Sequence, residues 1–217
     1  MHLTIINGSP RVKKYSNSEK IIDAFCNGLS EDITYEKYAV SSKKSWDQIR
    51  DAFDNNKNIL MVIPVYVECI PGLLLEFLET LTPKDDGTKI YYILQSGFSE
   101  GCQLRCAEKY LEKLTPMLGC EYGGCLVKGD NFGIRLFEGK MLDNTLNPYQ
   151  EMGAVFAEKK DFFSEEAKKF TGAEYFSKME CIILSIISKT VSRYMFKKMA
   201  KKHFNCTTPL DDKPLLK

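Results

Sequence analysis

The chain has 217 residues, 44% of them hydrophobic, enough for one domain with a sizeable core and an appendage. Its 30 Lys and Arg against 29 Asp and Glu leave a net charge of +1, which gives no electrostatic reason to expect nucleic acid as a partner. No apolar stretch approaches the ~18 residues of a membrane span, and Met1 leads straight into a strand-like run without a basic flank, so a soluble, cytoplasmic protein is expected.

Strand and helix patterns alternate along the chain. Residues 2–7 form a short apolar strand. They run into Asn7-Gly8-Ser9-Pro10-Arg11, with Ser16-Asn17-Ser18 just beyond and a helical pattern over 17–29. A buried strand ending in a Gly/Ser/Pro turn that opens a helix is a site for an anion, because the first N–H groups of a helix are unpaired and the helix dipole favours negative charge there. The segment from Met1 to Ser18 contains no Asp or Glu, and it carries Arg11, Lys13, Lys14 and the hydroxyls of Ser9, Ser16 and Ser18. The plainer alternative is that Ser16-x-x-Glu19 is only a capping box and Gly8-Ser9-Pro10 only a tight turn.

Several phosphate loops are ruled out here. Lys13 stands where a Walker loop needs its second Gly, and Pro10 where a dinucleotide fingerprint needs its second. No Cys precedes Cys26, and no carboxylates follow the first strand. A hydroxyl-rich, glycine-poor loop points instead to a mononucleotide, with FMN the leading candidate.

Further along, strands are expected over 33–38 (alternating, hence an edge), 58–64 (apolar throughout, hence buried on both faces), 89–95 and 121–128. Helices are expected over 45–55, 72–81 and 103–118. Residues 129–147 read as a long connection that belongs to the substrate pocket, with Phe132 as a lid, or else forms a surface or dimer contact. Helices follow over 148–157, starting at Asn147-Pro148, over 165–171 behind Ser164, and over 175–204.

Five strands with four crossovers fit a doubly wound sheet of order 2-1-3-4-5, whose ligands bind at the carboxyl ends of the strands. The loops that matter are then 8–17, 64–71 and 96–102. The second carries Pro64, Val65, Tyr66 and Val67, an apolar and aromatic surface on which a flat ring could lie. The third offers Gln95 and Ser96 as donors, Gly97 for close backbone approach and Phe98 as another aromatic face.

The eight cysteines are scattered, match no compact zinc or iron–sulfur spacing, and read as reduced thiols; Cys106 is expected on the core face of its helix. No metal site is expected.

Taken together, Asn7-Gly8-Ser9-Pro10-Arg11 with Ser16-Asn17-Ser18, Pro64-Val65-Tyr66 running to Ile70-Pro71-Gly72 and Phe77-Leu78-Glu79, and Ser96-Gly97-Phe98 resemble the flavodoxin-like NAD(P)H-dependent FMN reductase family over roughly residues 1–130. The resemblance implies a flavodoxin-like three-layer α/β/α sandwich, bound FMN, two-electron reduction by NAD(P)H, and homodimers or homotetramers. It implies a small acceptor such as a quinone, flavin, azo or nitro compound. It assigns Ser9, Arg11, Ser16, Asn17 and Ser18 to the FMN phosphate, Pro64, Val65, Tyr66 and Val67 to the isoalloxazine face, and Ser96, Gly97 and Phe98 to its other edge. No side-chain acid or base is required. The chain departs from the family pattern at Tyr15, Ile63 and Leu75. The competing readings are a flavodoxin-type electron carrier, against which the balanced charge argues, and a related module that has lost FMN.

The division expected is an FMN-binding domain over 1–171 and a helical extension over 172–217. In the extension Lys189, Arg193, Lys197 and Lys201 recur every four residues, as do Ile183, Ile187, Val191, Met195 and Met199, and no acid occurs between Glu180 and Asp211. The apolar stripe is expected to pack on the body or a second subunit rather than on a membrane.

Overall fold

Five parallel strands, β1 (His2–Asn7), β2 (Thr34–Ala39), β3 (Asn58–Pro64), β4 (Lys89–Gln95) and β5 (Glu121–Lys128), form one sheet of order β2-β1-β3-β4-β5. The structure, a computed structural model, describes residues 1–204 apart from the side chains of Val191, His203 and Phe204. Cys206, Asp211 and the remainder of the expected extension lie outside the described residues. The topology is the flavodoxin-like one expected from the alternation of strands and helices, with β2 at the edge.

Side chains alternate across a strand, so the continuous apolar run of β3 feeds both faces at once. Ile59, Met61 and Ile63 enter one core and Leu60 and Val62 the other, all fully buried. Each contributes roughly 2 kcal/mol by leaving water. Helices α2 (Trp46–Asn55), α3 (Gly72–Leu78) and α4 (Arg105–Met117) cover the first face through Ile49, Phe53, Leu74, Phe77 and Leu111. Helices α1 (Asn17–Asn27), α5 (Lys140–Lys159) and α6 (Glu165–Phe170) cover the second through Ile21, Ile22, Phe25, Tyr149, Phe156 and Phe170. The backbones of α1 and α5 meet at two glycines. A methyl group on Gly153 would lie 2.1 Å from the carbonyl oxygen of Phe25, and one on Gly28 1.9 Å from that of Gln150. This close approach seats α5 against the helix that opens at the first loop.

Four expectations are corrected. The connection after β5 is not structureless to 147: Phe132–Arg135 is a 3-10 turn and α5 is already helical at Lys140. Pro148 suggests a helix start, since its missing N–H is harmless there, but it sits inside α5, where burial of Tyr149, Met152 and Phe156 offsets the lost hydrogen bond. Cys106 is exposed, because Ala107 and Leu111 take the core face of α4 and the preceding residue stands ~100° away. The last helical segment begins at Lys178 rather than 175, fixed by a capping box in which Ser177 and Glu180 bond each other's backbone N–H. The cysteines described are all free; burial pushes the Cys26 thiol up to about 11 and holds Cys125 well above its usual range.

The chain divides into two compact units, Met1–Glu174 and Tyr175–Lys217. The second, described by itself, consists of α7 (Lys178–Ile187), a π-helical turn at Ser188–Ser192 and α8 (Arg193–Phe204). Among the described residues no helix is long and apolar enough to cross a membrane.

Candidate functional site

The loops after β1, β3 and β4 converge at the carboxyl end of the sheet, and named hydrogen bonds hold them there. Gly8 N–H donates to the Val62 carbonyl at 2.9 Å, and Val65 N–H to the Gln95 carbonyl at 2.8 Å. The Gln95 side-chain amide reaches Ser18 Oγ at 3.4 Å. Gly8 is required by this packing, since a Cβ there would stand 2.9 Å from a Leu74 methyl and 3.2 Å from Ile63.

In the first loop Ser9, Ser16 and Ser18 are all buried, while Arg11 is exposed and Asn17 partly so. Asn7 organises the turn: its Oδ1 accepts from Ser9 N–H at 3.0 Å, and its Nδ2 donates to Glu19 Oε2 at 2.8 Å and to Ser16 Oγ at 3.4 Å. The capping-box alternative fails here. Ser16 makes no side-chain bond to the first turn of α1, and the Glu19 carboxylate turns to Asn7 and to Lys13 Nζ at 3.1 Å. The leading N–H groups of α1 therefore have no side-chain cap, and three hydroxyls lie beside them. This donor set fits a phosphate. Glu19 is the one acid at its margin, shielded from solvent and offset by Lys13.

The second loop is a tight reversal. Tyr66 and Cys69 exchange backbone hydrogen bonds at 2.8 and 3.2 Å, and the two residues between them, Val67 and Glu68, have φ of 49° and 65°. Left-handed backbone at a β-branched residue costs on the order of 1–2 kcal/mol. The strain sets the Val67 side chain out at 85% exposure, with Tyr66 beside it at 44%. Pro64 and Val65 are buried, Val65 in the core with Ile70 and Leu74. Of the four residues expected against a ring, Tyr66 and Val67 present side chains and Pro64 and Val65 anchor the loop.

In the third loop Phe98 is exposed and Gly97 open. Ser96 uses its donors internally, Oγ to the Phe98 carbonyl at 3.2 Å and N–H to Lys128 at 3.2 Å, so it shapes the loop.

A fourth wall comes from the segment after β5. Asn131, almost wholly buried, donates from Nδ2 to the Lys128 and Gly129 carbonyls at 2.9 and 3.0 Å and accepts from Tyr149 Oη at 3.0 Å. Its backbone N–H reaches the Ser96 carbonyl, and its carbonyl accepts from Asn17 Nδ2 at 3.0 Å. Lys20 Nζ binds the Ile134 carbonyl at 2.9 Å. Burial raises the Tyr149 phenol far above its usual value, so it stays a donor to Asn131. The exposed Phe132 follows, its Cβ 3.5 Å and its ring 3.9 Å from where a Gly97 Cβ would be. Asn7, Glu19 and Asn131 were not among the residues the sequence singled out for the site. Only Asn7, at the strand end, carried a local signal.

A flavodoxin-like fold with an uncapped helix start and exposed aromatic side chains around one sheet end brings these loops to the topological switch point, where open α/β sheets carry their ligands. No protein-family model matches the sequence, and neither does any curated protein. Similarity to solved structures is extensive. The FMN-dependent NADH-azoreductase of Bacillus anthracis, solved in complex with FMN, matches 72% of this chain and 100% of its own at 17% identity and a TM-score of 0.52. An NADH:FMN oxidoreductase in its apo form matches 76% and 92% at 16% identity and 0.54. The NAD(P)H:acceptor oxidoreductase of Paracoccus denitrificans matches 74% and 98% at 12% identity and 0.51. At these identities the likeness establishes the fold.

Proposed function

We propose that this chain is an NAD(P)H-dependent oxidoreductase that holds FMN on the loops after β1, β3 and β4 and passes two electrons to a small acceptor such as a quinone, flavin, azo or nitro compound. The observation that carries the reading is the uncapped start of α1 lined by Ser9, Ser16 and Ser18, opposite the exposed Tyr66, Val67 and Phe98. The printed activities of the structural neighbours support it.

FMN, when bound, supplies the redox chemistry, taking a hydride from reduced nicotinamide and passing electron pairs on. The protein's part is binding and orientation. Ser9, Ser16, Asn17, Ser18 and the α1 N–H groups take the phosphate, with Arg11 adding charge. Tyr66 and Val67, on the loop anchored by Pro64 and Val65, carry one face of the ring, and Ser96, Gly97 and Phe98 shape its edge.

The test is colour and its loss. The purified protein, or apoprotein given FMN, should be yellow, and anaerobic NADH or NADPH should bleach it stoichiometrically. Yellow protein that neither nicotinamide bleaches would make it an electron carrier; protein that takes up no FMN would remove the cofactor assignment.

Phe132 stands at the rim of the same loops, and we assign it to the nicotinamide pocket. Phe132→Ala is expected to raise KM for NAD(P)H about fivefold, the loss of roughly 1 kcal/mol of aromatic contact, with FMN content unchanged. Unaltered steady-state kinetics would make the 129–136 segment a structural connection only.

A further inference from the structure

The second unit carries a feature the proposed reaction does not use. Its helix runs from Lys178 to Phe204, about 40 Å, and none of the described side chains of α7 is buried. Met179, Ile182, Ile183, Leu184, Ile186 and Ile187 are exposed, Ile182 and Ile186 at 56% and 60%; Tyr194, Met195 and Phe196 follow in α8. Lys189, Arg193, Lys197, Lys198, Lys201 and Lys202 share the segment, and positions 181–204 contain no Asp or Glu.

The two four-residue stripes seen in the sequence would not stay aligned on a regular α-helix. At 3.6 residues per turn every fourth residue drifts by about 40°, so each stripe would wind round the helix. The π-helical turn at Ser188–Ser192 cancels this. It accommodates about one extra residue and so takes back roughly 100°. Arg193 and Lys197 then fall in line with Lys189 and Lys178, and Met195 and Met199 in line with Ile183 and Ile187. The helix acquires an apolar strip on the face opposite a cationic strip, and it ends in a basic turn where Lys198 and Lys202 join Lys197 and Lys201.

We propose that this helix lies flat on an anionic lipid surface, its apolar strip seated among the acyl chains nearest the headgroups and its lysines on the phosphates. The charge pattern selects this occupant. A second copy of the helix, approaching in either direction, offers no carboxylate between 181 and 204 to meet Lys189, Lys197, Lys198 and Lys201, whereas an anionic bilayer offers a continuous counter-charge. The long lysine stems let their ammonium groups reach the headgroups while the neighbouring isoleucines insert. The assignment differs from the packing role the sequence suggested and leaves the redox site as described.

The experiment is flotation of the full-length protein with phosphatidylcholine vesicles, either pure or with about one-third phosphatidylserine to set a negative surface potential. The protein should float with the anionic vesicles only and be released near ~1 M salt. Each Lys→Gln change among Lys197, Lys198 and Lys201 should lower the partition coefficient about fivefold, and the triple variant about a hundredfold. Ile183→Asp with Ile187→Asp should abolish flotation. FMN content in both variants should match the parent, which shows that the body is folded. Absence of flotation, or equal flotation with uncharged vesicles, would overturn the proposal. So would a dimer in sedimentation velocity that Ile183→Asp dissolves while the parent ignores both kinds of vesicle.

Discussion

Ser18→Asp is expected to lower affinity for FMN about a hundredfold. The Ser18 hydroxyl is 1% exposed and lies in the first turn of α1, whose N–H groups lack a side-chain cap. A carboxylate there would sit within roughly 5 Å of a bound phosphate; at an effective dielectric near 20 that repulsion is about 3 kcal/mol per pair of charges. Ser9→Asp, equally buried in the turn, should behave alike. Arg11→Glu should cost only about tenfold, because Arg11 is exposed and solvent screens it. Lys13 and Glu19 give a further check. Lys13→Ala leaves the Glu19 carboxylate facing the site without its partner, and Glu19→Gln in the same chain should restore the affinity. Fluorescence titration of apoprotein with FMN reads all of these. Equal affinity in the Ser9, Ser18 and Arg11 variants would remove the phosphate from this loop.

Asn131→Ala should produce the largest loss of stability of any single change near the site, about 3–5 kcal/mol. Its side chain makes three hydrogen bonds in a place almost closed to water. Truncation takes their side-chain partner from the Tyr149 hydroxyl and the Gly129 carbonyl and leaves the Lys128 carbonyl with the Ser96 N–H alone, each lost bond costing on the order of 1–3 kcal/mol unless water enters. The backbone bonds of residue 131 to Ser96 and Asn17 survive the change, but the segment that makes them loses its side-chain anchor, so FMN affinity should fall along with stability. Tyr149→Phe removes one of the three bonds together with its donor and should cost only ~1 kcal/mol. Urea unfolding of the two variants makes the comparison; a cost below ~1 kcal/mol for Asn131→Ala would mean that water replaces the side chain.

Much of this was legible from residue order alone. An unbroken run such as Ile59 to Ile63 has to be buried on both faces, and alternation of such runs with helical periods leaves few arrangements other than a parallel sheet of order 2-1-3-4-5. Gly8-Ser9-Pro10 before Ser16-Asn17-Ser18 likewise located a helix start at the end of β1, because the unpaired backbone N–H groups there are a local property of the chain.

Tertiary structure decided what local rules leave open. Ser16-x-x-Glu19 is a sound capping box by spacing, yet Asn7 and Lys13 compete for the Glu19 carboxylate and win, which opens the helix start to a ligand. Pro148 marks a helix start by propensity, but the buried face of α5 outweighs it. Asn131 has no signature because its partners, Asn17, Ser96 and Tyr149, are brought to it only by folding. The π-helical turn is the same kind of fact. The sequence determined that a cationic and an apolar stripe each recur every four residues, and an ordinary helix would have wound both round its surface. Only the backbone, by taking one residue more into a single turn, decided that they run along the helix on opposite faces.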